Sequence, residues 1–186
     1  MKTLVICGSR NLQGQTAQAT KAVVTGLTRA GASVEQVFLP VMNIERCRQC
    51  EDNGWGLCLK EGRCVINDDL HQLVETLREA DTLVITTPVY FGDLSESLRA
   101  FTDRLRRICR NEQGRQSIQG KPMLGVCVAG GGGGGAPTCC VSLEKTLTHS
   151  GIDVLDMIPV RRQNLQEKLP RLELAGEWFV LGTKKL

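Results

Sequence analysis

The sequence predicts a doubly wound α/β fold: a five-stranded parallel sheet with helices on both faces and a cysteine-rich loop inserted at about 41–67. Three observations predict it. Five short apolar, β-branched runs alternate with longer segments of helical periodicity. Parallel strands need crossover connections, and right-handed crossovers between alternating elements most simply put helices on both sides of the sheet. A chain of 186 residues, 41% hydrophobic and 23% charged, suits one globular domain over 1–186 and argues against disordered or collagen-like structure.

Lys2 to Cys7 is the first strand. Thr16 to Ala30 reads as a helix because Ala19, Ala22, Val23, Leu27 and Ala30 form one apolar stripe, and Gly31 ends it. Ser33 to Leu39 is the second strand. Val41 to Asn67 breaks the rhythm with four cysteines and several polar turn residues. Asp68 or Asp69 then caps a helix running to Ala80, an anion facing the free amides of the first turn. Thr82 to Thr87 is the third strand, Leu94 to Arg107 a helix with Ser95 as its cap, and Pro122 to Ala129 the fourth strand. A glycine tract, a helix near Ser142 to Ser150 and a fifth strand from Asp153 to Pro159 follow. The last amphipathic segment, Leu165 to Leu181, is interrupted at Pro170.

Charge excludes some functions. A net charge of +3 without a run of Lys or Arg argues against nucleic acid. Arg104, Arg106, Arg107 and Arg110 read as a solvated helix end. The apolar run before Gly8 is shorter than a signal-peptide core of roughly 7–15 residues, and no stretch approaches the roughly 20 needed to cross a bilayer. The expectation is a cytoplasmic protein without a membrane segment, whose nine cysteines are reduced, ligating or reactive rather than disulfide-bonded.

Three unusual segments emerge beyond the carboxyl ends of the strands, where an open α/β sheet binds its ligand. The first runs from Gly8 to Thr16. Its small, hydroxyl and amide residues (Ser9, Asn11, Gly14, Gln15, Thr16, with Arg10 beside them) end at a helix N-terminus, which favours an anion. It lacks the glycine spacing of a dinucleotide loop and the Lys-Ser/Thr of a nucleotide P-loop, so it reads as a cradle for one terminal phosphate. The second, Pro88-Val89-Tyr90-Phe91-Gly92, is a stiff aromatic shelf for a flat ring. The third is the tract beginning Gly130-Gly131-Gly132, which lets a ligand edge approach the backbone closely. With only His71 and His149, on different helices, a catalytic triad or His-based metal site has little support. Of the remaining cysteines, Cys7 and Cys127 read as core residues, and Cys139-Cys140 as helix packing.

These residues resemble those of the NADPH-dependent FMN reductase family, in the flavodoxin-like superfamily. Gly8-Ser9 through Gly14-x-Thr16 is similar to its phosphate loop. Thr87 to Leu105, TPVYFGDLSESLRAFTDRL, is the more specific match. The resemblance implies a flavodoxin-like fold and an FMN site at the three segments. It implies an NAD(P)H-dependent oxidoreductase that delivers electrons to a quinone, flavin, metal or protein acceptor. Homo-dimers or homo-tetramers are implied as well. Within the family, the iron–sulfur flavoproteins carry a compact cysteine motif at the same place, followed by Cys-x3-Asp-Asp. Here the motif is Cys47-x2-Cys50-x7-Cys58-x5-Cys64, ahead of Asp68-Asp69. Its middle departs: Asn53 stands where a second close pair would have a thiol, and Gly54-Trp55-Gly56 is inserted. Four thiolates there suit a 4Fe–4S cluster, a structural zinc, or reactive thiols without metal. The corresponding alternatives to an oxidoreductase are an electron carrier fed by ferredoxin and a flavin- or thiol-based redox sensor.

Overall fold

The computed structural model describes residues 1–184. Its strands are β1 (Lys2–Cys7), β2 (Ser33–Phe38), β3 (Thr82–Pro88), β4 (Pro122–Ala129) and β5 (Asp153–Arg161). Its helices are α1 (Gln15–Arg29), α2 (Leu57–Lys60), α3 (Leu70–Glu79), α4 (Glu96–Ile108), α5 (Glu112–Arg115), α6 (Ala136–Thr148) and α7 (Leu165–Thr183). The strands form one sheet in the order β2-β1-β3-β4-β5, and every neighbouring pair is parallel. This is the doubly wound, flavodoxin-like arrangement the sequence predicts.

The inner strands are buried on both faces, so their apolar runs are nearly continuous, whereas the edge strand β2 is largely exposed. The two-residue period divides them between two cores. Leu4, Ile6, Leu83, Ile85 and Met123 face α3, α4 and α6. Val5, Val84, Leu124 and Val126 face α1 and α7 on the other side.

Helices α1 and α7 approach each other through two glycines. A methyl group on Gly26 would lie 1.9 Å from the Glu173 carbonyl oxygen, and one on Gly176 would lie 2.3 Å from that of Val23. Arg29 seals the contact with ion pairs to Glu173 at 3.0 Å and Glu177 at 3.8 Å.

Two expectations are corrected. Helix α7 runs through Pro170 without interruption. A proline here removes a single backbone donor, and the close packing on α1 fixes the helix on both sides of it. Helix α6 starts at Ala136, six residues before Ser142, with Pro137 in its first turn and Gly135 as a left-handed N-cap (φ 80°).

The glycine contact yields a prediction. Gly176→Ala is expected to lower stability by about 1–3 kcal/mol, since its methyl group meets backbone that cannot rotate away. Urea unfolding measures the change, and an unaltered midpoint would contradict this account of the helix pair.

Candidate functional site

In this strand order the winding reverses between β1 and β3, so the loops after these two strands part and leave a cleft. Ser9, Asn11, Gly14, Gln15 and Thr16 line one side of it. Pro88, Val89, Tyr90 and Phe91 line a second, and Gly130, Gly131 and Gly132 a third. Three segments far apart in sequence thus form one surface. Arg10 and Gly92 stand outside this lining, and Val128 and Arg162 join it. Arg162 follows the carboxyl end of β5 directly, so the strand-end rule that selected the other loops could have selected it too.

Each wall has a local cause. Gly14 is the N-cap of α1 and no side chain caps that helix, which leaves its first-turn amides free for an anion. Ser9 is buried, and its hydroxyl donates to the Asn11 carbonyl at 3.2 Å. At the second wall Tyr90 and Asp93 exchange two backbone hydrogen bonds of 2.9 and 3.0 Å around Phe91 and Gly92. Both central residues have positive φ, 52° and 79°, as a primed two-residue turn requires. Gly92 supplies its φ freely, but Phe91 holds a strained backbone, and its ring is fully exposed. Ser95, expected to cap α4, instead donates its hydroxyl to the Gly8 carbonyl at 3.1 Å, tying the first loop to the second. At the third wall the Gln163 amide donates to the Gly132 carbonyl at 3.0 Å, fixing the glycine rim to the end of β5. A side chain on Gly131, Gly132 or Gly134 would enter open space.

The cysteine loop lies along the outer side of α4. Cys47, Cys50, Cys58 and Cys64 all line one pocket there, together with Arg48, Arg104 and Arg107. All four thiols are free and half-buried. Gln49 and Glu51, on either side of Cys50, adopt left-handed backbone (φ 52° and 57°), a strain that sets the direction of the thiol between them. The inserted Gly54-Trp55-Gly56 folds back onto α4, where Arg107 donates to the Gly54 carbonyl at 2.7 Å and stacks 4.7 Å from the Trp55 ring centre. Among the described residues, no three of His, Cys, Asp and Glu come close enough to hold a single metal ion.

Arg104 does not behave as the solvated helix residue its spacing suggested. Its side chain and that of Asp68 are each 1% exposed. They form a two-pronged pair, Nη1 to Oδ2 at 2.6 Å and Nη2 to Oδ1 at 2.9 Å. Nη1 also donates to the Glu45 carbonyl at 3.0 Å, and Nη2 to that of Ile66 at 3.4 Å. Glu45 precedes the first cysteine and Ile66 follows the last, so one guanidinium closes both ends of the loop. Asp68 accepts the Glu45 amide at 2.9 Å, and Asp69 accepts the Asn43 amide at 2.6 Å. These carboxylates were expected to cap α3, but they serve mainly to stitch the loop shut; only the Leu70 amide, 3.2 Å from Asp68, retains a capping contact. Burial alone would raise the Asp68 carboxyl, yet Arg104 and the Glu45 amide outweigh it and hold it below the usual carboxylate range.

The profile of a family described as NADPH-dependent FMN reductase matches residues 1–166. The chain belongs to this family. An iron–sulfur flavoprotein of Methanocaldococcus jannaschii is 29% identical over 125 residues, 67% of this chain and 62% of the relative. One of Archaeoglobus fulgidus is 30% identical over 105 residues, 56% of this chain and 46% of the relative. The chain therefore spans about half to three-fifths of the length of these relatives. Among solved structures, an NAD(P)H:quinone oxidoreductase from Methanothermobacter marburgensis superposes with a TM-score of 0.72 at 21% identity, covering 96% of this chain and 95% of that one. That likeness is one of fold.

Asp68→Asn would strand the Arg104 charge in the interior, and a loss of roughly 3–5 kcal/mol is expected. The Asp68 carboxyl is lowered from 3.8. Its stabilising effect is therefore complete above the unfolded value and disappears as pH falls through the folded one. Limited proteolysis should cut the wild-type loop only once pH falls well below the ordinary carboxylate value of 3.8, whereas in Asp68→Asn the loop should be cut at neutral pH as well.

Proposed function

We propose that the chain is an FMN-dependent NAD(P)H oxidoreductase that passes electrons to a quinone, flavin, metal ion or protein, with a 4Fe–4S cluster on the four loop cysteines. The observation that carries the flavin reading is the single cleft at the β1/β3 switch. It joins an uncapped helix N-terminus, an exposed aromatic turn and a glycine rim with open space above it. These features fit FMN. The α1 amides with Ser9 and Thr16 would take its phosphate, Tyr90 and Phe91 would cover its ring, and Gly130 to Gly132 would admit the ring's edge to backbone amides. Bound FMN supplies hydride acceptance and one-electron donation. The protein's own part is to bind, orient and shield. Arg162 adds a cation at the cleft edge. Neither histidine lines the cleft, which argues against hydrolysis through Ser9.

The cysteine pocket would hold a cluster through its four thiols, which all line one space. Arg48, Arg104 and Arg107 line it beside them, a cationic setting for a group that four thiolates would make anionic. Beside it, Trp55, Arg106, Arg107, Arg110 and Lys145 line a basic depression, with Arg106 paired to Asp103 at its edge, suited to an acidic electron-transfer protein of the ferredoxin kind. That face favours a second reading, an electron carrier fed by such a protein rather than by NADPH or NADH. The expected setting is the cytoplasm and the expected assembly a homo-dimer or homo-tetramer, with the exposed Phe91 free to meet a neighbouring subunit.

The test is protein purified without oxygen, its flavin extracted and identified, and its iron and sulfide assayed. About one FMN with about four iron and four sulfide per chain is expected. Absence of flavin, with none bound on addition, would overturn the reading. Rapid reduction by reduced ferredoxin with negligible NADPH oxidation would select the carrier. A Cβ on Gly132, which lines the cleft, meets nothing within 4 Å, so Gly132→Val should leave circular dichroism unchanged and weaken FMN roughly tenfold or more.

A further inference from the structure

Arg104 has one polar atom unaccounted for. Its two terminal nitrogens are fully used by Asp68 and the carbonyls of Glu45 and Ile66. Its Nε–H is buried and has no hydrogen-bond partner. A buried, unsatisfied N–H on a charged group is strongly destabilising, so this one is expected to have an acceptor when the protein is in its working state. Asp68 and the two carbonyls occupy the terminal nitrogens. The Arg104 side chain lines the same space as Cys47, Cys50, Cys58 and Cys64 and lies within hydrogen-bonding reach of the Cys64 side chain, so a sulfur is the acceptor nearest its free Nε–H. The geometry points to Arg104 as a positioning residue that donates its Nε–H to a sulfur of the cluster site, either the Cys64 thiolate or the inorganic sulfide next to it.

The consequence is electronic as well as structural. A hydrogen bond to a cluster sulfur draws charge off it and favours the state with one more electron, so the reduction potential rises. Arg48 and Arg107 also line the pocket, but their side chains are engaged elsewhere, Arg48 with Glu45 and Arg107 with the Gly54 carbonyl and Trp55. They contribute charge, whereas Arg104 contributes a directed bond from a nitrogen that Asp68 holds still. The inference rests on the cluster reading above, and deepens it by naming the residue that sets the potential.

The test uses Arg104→Lys in the intact protein. Lysine places a methylene where arginine has Nε and keeps a positive charge beside Asp68; it also gives up the two-pronged geometry, so the iron content separates a loosened loop from the loss of the Nε–H. Cluster potential is read by anaerobic titration followed by electron paramagnetic resonance, with iron and sulfide measured on the same samples. Arg104→Lys should bind as much iron as the wild type but be about tenfold harder to reduce at a fixed potential, a shift of ~59 mV downward for one electron. Arg48→Lys should leave the potential in place. Equal iron and equal potentials in the wild type and Arg104→Lys would overturn the role of Arg104 and leave the cluster standing. A wild type that takes up no iron would overturn the cluster itself, and this inference with it. If Arg104→Lys fails to fold, wild-type protein grown on arginine labelled with 15N at Nε decides the matter. A nitrogen coupling in the reduced cluster's spectrum that persists in Arg48→Lys and Arg107→Lys supports the bond, and its absence refutes it.

Discussion

The pairing of Arg104 with Asp68 is the constraint on which the cysteine-bearing half of the molecule depends. A buried ion pair is weak evidence of stability in itself, since desolvating both charges offsets much of their attraction. Its weight here comes from what else the two groups hold. Between them they bind the carbonyls of Glu45 and Ile66 and the amides of Glu45 and Leu70. The chain between those points has little regular structure, and the pair converts it from a long open excursion into a closed ring lying on α4. Arg107 and Asn111, the latter donating to the Leu59 and Lys60 carbonyls at 3.0 and 3.2 Å, fasten the same ring farther along the helix.

Helix α4 links this ring to the cleft. Ser95 and Ser97, at its N-terminal end, both reach the Gly8 carbonyl, and Arg99 pairs with Asp93 of the aromatic turn. The residues that carry the family resemblance, Thr87 to Leu105, are therefore a strut as well as a wall of the cleft. Their first half shapes the cleft and their second half, through Arg104, holds the cysteines. A movement of this helix would be felt at both places.

Most of the architecture was legible in the sequence because it follows from periodicity. The three inner strands show nearly continuous apolar runs, the outer two show β-branched residues between turn signals, and α1 and α4 show stripes at helical spacing. Three errors have a common root in contacts between segments distant in sequence. Arg104 lies two residues before another arginine on a helix whose composition is strongly polar, and nothing local tells that a carboxylate 36 positions away draws it inward. Pro170 is a helix breaker in isolation, and only the packing of Gly26 against Gly176 overrides it. Ser95 has the identity and position of a helix cap, but the Gly8 carbonyl competes for its hydroxyl. The cleft itself was readable as three loops because each follows a strand at the same sheet edge. Arg162 escaped because β5 was expected to end at Pro159, two residues before Arg161, its observed end.

The strained residues flanking Cys50 are tethered by the polypeptide itself. Glu51 accepts from Lys60 at 2.9 Å through its carboxylate and from the Gly54 amide at 3.1 Å through its carbonyl. Gly54 is in turn held by Arg107, and Lys60 by Asn111, so both anchors of this turn trace back to α4 and the turn that ends it. The direction of the Cys50 thiol is therefore written into a helix that the thiol never joins in sequence, and a change at Arg107 or Asn111 would re-aim a cysteine more than fifty positions away.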